Sequence, residues 1–264
     1  PWQRLIATTE LINKKLACPA HVVYIMSAVY GLVFSYYTIL RHYSFHTEAW
    51  DLGIYNQALW TTIFGGRFFY ETPDLIYNPN GCFFGVHFSP ILVLILPIYA
   101  VWPCPENLLI IQSWVIALSA IPLFKLALLE LRDSRAALLC TVTYLLFTPL
   151  HSVNWFDFHV QAFIPLFALL ALYCMKRRLW VGYFISIFLL LSTIEFAAAI
   201  TAFIALYGLF IHSGFLKKVI RSRSLLLVEI PDKGVFALTF IISLAWFWIA
   251  MHVKRIMNPF PPSI

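Results

Sequence analysis

Residues 179–211 read LWVGYFISIFLLLSTIEFAAAITAFIALYGLFI, a stretch in which Glu195 is the only charged side chain. An α-helix needs roughly 20 apolar residues to cross the ~30 Å hydrocarbon core of a bilayer, and helices packed in a bundle can be shorter. No Gly or Pro marks a turn in Ser192–Phe196. The stretch therefore predicts two membrane helices that are joined near Glu195.

The composition of the whole chain agrees with this prediction. Of its 264 residues, 61% are hydrophobic and only 11% are charged, whereas about 25% charge is usual in soluble domains. This excludes a disordered chain and a nucleic-acid-binding module, and it argues against a soluble enzyme. The net charge of +6 comes from short basic clusters between apolar runs, which is the pattern of topology signals. The chain is predicted to be a polytopic membrane protein.

Eight apolar runs are candidate membrane spans, at residues 20–40, 87–102, 106–129, 136–152, 160–175, 179–193, 196–213 and 235–253. Only helices and closed barrels satisfy every backbone polar group in lipid, and the ten-residue alternation typical of barrel strands is missing from the sequence. We therefore expect an all-α transmembrane helical bundle of seven or eight helices, with residues 1–264 forming a single transmembrane domain.

Basic clusters predict which side of the membrane each loop faces. Cytoplasmic loops carry an excess of Lys and Arg, so the N-terminus and three clusters are expected inside the cell: Lys14-Lys15, Lys176-Arg177-Arg178, and Lys217-Lys218 with Arg221 and Arg223. The long segment 41–86 and the junction 151–159 then lie outside a multi-pass cell-membrane protein.

One apolar run conflicts with this topology. If 87–102 crossed the membrane, Arg132 and Arg135 would lie outside and the orientation of every later segment would be inverted. We therefore expect this run to be re-entrant or to lie along the outer interface; the alternative is a full span.

The external segment contains a predicted amphipathic helix at residues 46–64. Trp50, Ile54, Leu59 and Ile63 share one face at helical spacing, and the aromatic side chains of Tyr55 and Trp60 are typical of a membrane interface. Gly65-Gly66 supplies the end of the helix. We expect this helix to lie against the outer membrane surface.

Two carboxylates on this helix are candidate catalytic groups. Glu48 and Asp51 are three residues apart, so they project from the same face. A carboxylate at the edge of a low-dielectric region needs a partner, and it acts either as a positioned base or as part of a solvated acidic face.

Further polar residues are expected on the same side and are candidates for substrate binding: His87, Asp157, His159, Glu195 and Arg67. Each has a simpler interpretation. The histidines can be helix-end residues that bind water, Arg67 can be an interface anchor, and Glu195 can reach the outer water from a tight hairpin. An ionisable group within an apolar stretch more often faces a cavity or a pathway.

No cofactor is predicted. His46, Glu48 and Asp51 offer nitrogen and oxygen ligands, so a divalent metal is possible, but neither Asp-x-Asp nor His-x-x-x-His spacing occurs. The five cysteines are scattered without Cys-x-x-Cys spacing. Metal binding is therefore not indicated.

Three short motifs resemble those of an uncharacterised bacterial and archaeal family of membrane proteins, catalogued as domain of unknown function 2079. They are DLGIYNQALW at 51–60, HFSPIL at 87–92, and Phe158-His159 followed by the acid Glu195. The resemblance covers roughly residues 20–213. The family is similar to the GT-C glycosyltransferases, which use lipid-phosphate-linked sugars at the outer membrane face.

The resemblance implies a GT-C-like fold and roles for particular residues. GT-C enzymes carry an acidic residue in the first external loop as catalytic base or metal ligand, and by position this residue is Asp51. His87 is implied to contact the donor phosphate. Two features depart from the family pattern: Ile194 stands where a basic residue is common, and family members are longer. We therefore expect the chain to be an N-terminal part of such a protein.

The resulting hypothesis is a membrane glycosyltransferase that uses a polyprenyl-phosphate-linked sugar, and membrane lipids are its expected surroundings. Two alternatives stay open: a transporter or channel in which Glu195, Asp157 and the histidines form a path, and a non-catalytic subunit of a larger complex with unknown partner subunits. Nucleic acid is not an expected partner.

Overall fold

The computed structural model describes the backbone of residues 2–212 and 233–258, and the side chains of residues 19–211 and 233–258. Within these ranges the fold is helical, and the one strand-like feature is an isolated bridge between Tyr70 and Cys82. The helices are α1 (Trp2–Tyr43), α2 (Ile54–Ile63), α3 (Ile91–Val101), α4 (Pro105–Leu131), α5 (Ser134–Leu145), α6 (Thr148–Trp155), α7 (Ile164–Arg177), α8 (Trp180–Leu191), α9 (Ala197–His212) and α10 (Lys233–Met257).

Four helical segments in the described ranges are long and apolar enough to cross a membrane: Pro19–Tyr43, Pro105–Leu131, Val160–Arg177 and Lys233–Met257. A fifth span forms if α5 and α6, which meet at a bend of 43°, are taken as one broken helix. The all-α membrane architecture is thus as expected, with four or five candidate spans. The higher count of seven or eight stays a prediction.

The central helix is α4, which packs against α1, α5 and α7, while α9 packs against α10. The inward face of α4 carries the buried polar residues Asn107, Gln112, Ser113 and Ser119. The Ser119 hydroxyl meets the Tyr144 hydroxyl of α5, and the Ser113 hydroxyl donates to Asn154 Oδ1 of α6 at 3.1 Å. Side-chain hydrogen bonds therefore fix α4 against the broken α5–α6 segment.

Basic residues gather at one end of the bundle, here called the basic end, which is formed by the α4–α5 junction and the end of α7. Arg132 adopts a left-handed conformation, φ 56°, that ends α4, and Asp133 then caps α5. Lys176 Nζ of α7 lies 2.8 Å from Glu130 Oε1 of α4. The cluster Lys217-Lys218 with Arg221 and Arg223 lies outside the described residues, as do the side chains of Lys14-Lys15.

The opposite end, here called the loop end, is formed by residues 41–90, 156–159 and 192–196 and by the last turn of α10. Backbone and side-chain contacts join these segments: Ile91 N donates to Ser192 O at 2.8 Å, and Asn80 Nδ2 donates to Met257 O at 2.9 Å. Phe69, Phe83 and Phe84 form a buried aromatic centre under the loop. The loop end is thus a packed structure.

The apolar run 87–102 forms only α3, whose 11 residues extend about 16 Å, roughly half of the hydrocarbon thickness. This length agrees with the expectation that the run does not cross on its own. Both ends of α3 also contact the loop end: Ile91 N donates to Ser192 O, and the Tyr99 hydroxyl near the other end of α3 donates to Asn56 Oδ1 of α2 at 2.6 Å.

The predicted amphipathic helix is shorter than expected. A π-helical turn, Ala49–Gly53, replaces its first part, and α2 ends at Ile63, just before Gly65-Gly66. Trp60 is exposed, but Tyr55 is buried rather than interfacial. The reason is that Tyr55 packs against Phe83 and Phe158, with ring centroids 5.0 Å away in both cases.

Packing of α9 against α10 depends on Gly208. A Cβ atom at this position would lie 2.4 Å from Phe236 Cδ1, and the Phe236 ring is held in edge contacts by Trp180 and Tyr183. We predict that Gly208→Ala lowers the free energy of unfolding by about 1–3 kcal/mol, because overpacking forces neighbouring atoms to shift.

Denaturant unfolding in detergent micelles measures this effect. Gly234→Ala is the matched control: it lies in the same helix pair, but its Cβ would meet nothing within 4 Å. A Gly208→Ala protein as stable as the Gly234→Ala protein would contradict the close contact.

Candidate functional site

Asp51 and His159 form an acid–imidazole pair at the loop end. The π-helical turn Ala49–Gly53 carries Asp51, and His159 follows α6 in the short junction before α7. His159 Nε2 lies 3.1 Å from Asp51 Oδ1, and the two side chains are 25% and 24% exposed. The pair is therefore held by the fold but open to a ligand.

Backbone hydrogen bonds fix the orientation of the His159 ring. Nδ1 lies 3.0 Å from the carbonyl oxygen of Asp157, and a carbonyl only accepts, so Nδ1 carries a hydrogen. Nε2 then shares one proton with the Asp51 carboxylate. Among the described residues, Asp51 Oδ2 has no hydrogen-bond partner, and it is the oxygen left to accept a proton from a ligand.

Asp157 has a different environment. It is fully buried, one oxygen is paired with the Arg41 guanidinium at the end of α1, and the other accepts from the backbone N–H of Glu48 at 2.6 Å. Both oxygens are thus occupied by the protein. The Glu48 carboxylate itself is exposed and has no partner within the described residues.

Gln112 of α4 binds the backbone of the junction that carries Asp157 and His159. Its Oε1 accepts from His159 N at 2.7 Å, and its Nε2 donates to the carbonyl oxygen of Asp157 at 3.2 Å. Because Gln112 is fully buried on the long helix α4, the positions of Asp157 and His159 are tied to the centre of the bundle.

A second cluster at the loop end surrounds Glu195. Its Oε1 lies 2.6 Å from Lys254 Nζ of α10 and 3.2 Å from His87 Nδ1, and its Oε2 accepts from Phe88 N at 3.0 Å. Burial on its own raises the pKa of this carboxyl group, but the hydrogen bonds from His87 and Lys254 outweigh burial and leave the pKa at about 2. Glu195 is therefore ionised at neutral pH.

The His87 side chain is 44% exposed, and only Nδ1 of its ring is bonded to Glu195. Lys254 is 22% exposed and keeps two further N–H groups. If His87 is protonated, the cluster carries one net positive charge, from two cations and one carboxylate. The arrangement can bind an anion through His87 Nε2 and Lys254 Nζ.

Aromatic rings connect the two clusters. The Tyr55 ring is 6.1 Å from the His159 ring and 5.0 Å from Phe83, and Phe83 is 6.0 Å from His87. Burial raises the pKa of the Tyr55 hydroxyl, and the charges of Asp51 and Glu195 add to the effect. The acid–imidazole pair and the cationic cluster thus lie on either side of one aromatic contact.

Arg67 is not part of either cluster. Its guanidinium stacks over the Tyr70 ring, with Cζ 4.2 Å from the ring centroid. It lines an open cavity of about 500 Å³ with Phe68, Tyr70, Pro79 and Asn80.

Of the residues predicted from the sequence, the structure brings together Asp51 with His159, Asp157 with the backbone of Glu48, and His87 with Glu195.

Sequence reasoning missed Arg41, Gln112, Tyr55 and Lys254. The sequence does contain a signal for Lys254. Lys254 and Arg255 follow the apolar run 235–253 and so fall on the predicted outer side, whereas the other basic clusters are predicted on the inner side. Arg41 and Gln112 have no local signal, because their partners lie far away in the chain, and Tyr55 was interpreted from the sequence only as an interface aromatic. No group of three or more His, Cys, Asp or Glu side chains in the described part of the chain is arranged to hold a metal ion.

The Arg41–Asp157 pair should make a large contribution to stability that depends on both partners. Breaking a buried pair by removing one member costs about 3–5 kcal/mol, because the other charge stays buried and unpaired. We predict this loss for Asp157→Asn and for Arg41→Gln, and a smaller loss than the sum for the double variant.

A double-mutant cycle of unfolding free energies in detergent measures the coupling. The matched control is the exposed pair Lys176–Glu130, whose removal should cost about 0–1 kcal/mol. Additive losses for Arg41 and Asp157 would show that the two charges do not depend on each other.

Comparison with known proteins identifies the family. A scan against protein-family models matches residues 41–261 to DUF2079, described as predicted membrane proteins. Searches of curated proteins and of solved structures gave no match. The matched range extends beyond residue 213, where the resemblance in sequence was expected to end, and it includes Lys254. Since the match covers most of the chain, the protein belongs to the DUF2079 family of predicted membrane proteins.

Proposed function

We propose that this protein is a GT-C-like membrane glycosyltransferase that takes its sugar from a polyprenyl-phosphate-linked donor at the outer membrane face. The observation that carries the proposal is the Asp51–His159 pair, in which one carboxylate oxygen is bonded to His159 and the other has no partner among the described residues. A general base needs a carboxylate that is held in a fixed orientation and has one oxygen free to accept a proton.

Asp51 is the proposed base. The acceptor hydroxyl gives its proton to Asp51 Oδ2 while its oxygen attacks the anomeric carbon of the donor sugar, and the bond between that carbon and the phosphate oxygen breaks. His159 is a positioning residue, because Asp157 O and Asp51 Oδ1 already occupy its two nitrogens. Glu48, three residues before Asp51, offers a second exposed carboxylate to the acceptor.

The cationic cluster is the proposed site for the departing lipid phosphate. Lys254 Nζ and His87 Nε2 donate to its oxygens, so the negative charge that develops on the leaving group is stabilised as it forms. Glu195 holds both cations in place, and Asp157 holds the loop that carries Asp51. Arg67 contacts the outer part of the sugar substrate from its cavity.

The proposed topology has seven passages, made by α1, α4, the broken α5–α6 pair, α7, α8, α9 and α10. The 12 residues of α8 and 16 of α9 extend about 18 and 24 Å, and helices this short can be accommodated within a bundle. The basic end then faces the cytoplasm with the N-terminus, and the loop end faces outward.

A transport path is the rival hypothesis, together with a non-catalytic role in a larger complex. A path for ions or substrate needs polar groups near the bilayer midplane, whereas Asp51, His159, His87, Glu195 and Lys254 all belong to the loop end. This placement supports chemistry at one membrane face over transport across the bilayer.

Asp51→Asn tests the base directly. We predict at least a ~100-fold lower rate of polyprenyl phosphate release from a polyprenyl-phosphate-linked hexose, because general-base catalysis contributes 10²–10⁴-fold. Wild-type and variant proteins are assayed in liposomes with a panel of hexose donors and oligosaccharide acceptors.

Glu130→Gln is the matched control, an acid at the basic end whose removal should leave the rate unchanged. Unfolding in detergent checks that Asp51→Asn folds. A normal rate in the Asp51→Asn protein would remove the catalytic hypothesis, and flux in proteoliposomes that contain no lipid-linked sugar would favour a transporter.

Lys254→Gln tests the phosphate site. Loss of one charge-assisted hydrogen bond to a phosphate costs about 1.5–3 kcal/mol, which is a ~10–100-fold loss in kcat/KM for the lipid-linked donor. Lys254→Arg keeps the charge and should retain more activity than Lys254→Gln. Equal rates for the wild-type and Lys254→Gln proteins would place the phosphate elsewhere.

A further inference from the structure

Residues 70–82 of the first loop form a closed ring. Glu71 N donates to Gly81 O at 2.8 Å and Gly81 N donates to Asn78 O at 2.8 Å, while Asn78 N donates to Asp74 O at 2.8 Å. Gly81, with φ of +64°, makes the turn, and a Cβ atom there would be 2.4 Å from the Tyr70 ring. The ring is therefore rigid and tightly packed.

Two buried acceptor groups inside this short ring have no donor, and the partly exposed Asp74 adds a carboxylate beside them. Glu71 and Asn78 are fully buried, and Glu71 Oε1 and Asn78 Oδ1 make no hydrogen bond. The Asp74 carboxylate also has no hydrogen-bond partner among the described residues. A buried acceptor without a donor costs about 1–3 kcal/mol, and more if it is charged. Such a concentration of unsatisfied oxygen atoms calls for a cation.

Rotation of the Asn78 amide does not remove the problem. Asn78 Nδ2 donates to Cys82 O at 2.7 Å, so exchanging the amide oxygen and nitrogen would place two acceptors against each other at Cys82. The other oxygen of Glu71, Oε2, is occupied by Asp74 N at 2.9 Å. The hydrogen bond to Cys82 O therefore favours the present orientation of the amide, in which Asn78 Oδ1 and Glu71 Oε1 have no donor.

The charges of the ring also lack compensation. Neither carboxylate forms an ion pair with a Lys, Arg or His side chain among the described residues, whereas Glu195 has both His87 and Lys254 beside it. A single proton satisfies one pair of oxygens, whereas a metal ion can bind all three groups at once.

We propose that this ring is a structural site for a hard divalent cation of the Ca²⁺ class, bound by Glu71, Asp74 and the amide oxygen of Asn78. Ca²⁺ accepts six to eight oxygen ligands in flexible geometry, including amide and backbone carbonyl oxygens. Glu71, Asp74 and Asn78 supply at most four of these oxygens, and water at the partly exposed Asp74 completes the shell. Mg²⁺ demands near-octahedral geometry, which a rigid ring is less able to provide.

The site has a clear consequence for the loop end. The ring is joined to the last turn of α10, because Asn258 Nδ2 donates to Tyr77 O at 2.9 Å and Asn80 Nδ2 donates to Met257 O. A bound cation would therefore stiffen the segment that holds Lys254 in place. The proposed cation site is separate from Asp51 and does not depend on the transferase activity.

Two measurements test the site in the whole protein in detergent. Tb³⁺, a Ca²⁺ substitute, should show luminescence sensitised by Tyr70 or Tyr77, and Ca²⁺ should displace it. In hydrogen exchange, Ca²⁺ at ten times its Kd should slow exchange of the 71–82 amides by about tenfold. The expected Kd is about 0.1–1 mM, as in extracellular Ca²⁺ modules.

Glu71→Gln should abolish both effects, because it removes the charge while keeping the shape of the side chain. Its new amide can donate to Asn78 Oδ1, so exchange should be slow even without Ca²⁺. Glu48→Gln, an exposed acid of the same loop, is the matched control and should retain both responses.

The wild-type protein alone can overturn the proposal, even if the variants fail to fold. Exchange at 71–82 that does not respond to Ca²⁺ up to about 10 mM, well above the range of such modules, would exclude the site. If acid increases the protection of these amides, after correction for the slower intrinsic exchange at low pH, while Ca²⁺ has no effect, a proton between Glu71 and Asn78 is the correct explanation and the proposal is wrong.

Discussion

A buried carboxylate in a chain with little charge must be paired within the protein, and Asp157 is the residue on which the loop end depends. Its partners come from separate parts of the chain, Arg41 at the end of α1 and the backbone of Glu48 in the first loop. Gln112 of α4 binds the carbonyl of the same residue. Since His159 follows two residues later, these contacts determine that its ring meets Asp51.

The same electrostatic constraint accounts for the difference between the two ends of the bundle. At the basic end, residues such as Lys176 are partly exposed and need little compensation. At the loop end three partly or fully buried acids have specific partners: Asp51, Asp157 and Glu195. Charge pairs that are partly exposed to solvent are suited to ligand binding. The ring at 70–82 differs from them, because its acids have no cationic partner among the described residues.

Much of the architecture follows from local patterns in the sequence. Apolar runs located the four or five candidate membrane spans, Gly65-Gly66 located the end of α2, and the positions of Asp51 and Glu195 indicated acids near one end of the bundle. The partners of these acids could not be predicted, since Arg41 and Asp157 are 116 residues apart and Lys254 and Glu195 are 59 apart. Such pairings depend on tertiary packing. Tyr55 was placed at the interface for the same reason, because the Phe83 and Phe158 contacts that bury it are not local.

The proposed function requires the Asp51–His159 pair and the Lys254 cluster to serve one substrate. An electron cryo-microscopy structure with a non-hydrolysable polyprenyl-phosphate sugar analogue would show whether they do. We expect phosphate oxygens within hydrogen-bond distance of Lys254 Nζ and His87 Nε2. We also expect the anomeric carbon to face Asp51 Oδ2 with room for one acceptor oxygen, since reacting atoms must approach to about 3–3.5 Å. An analogue bound with its phosphate away from Lys254, or with its sugar on the far side of Tyr55 from Asp51, would contradict the proposed function.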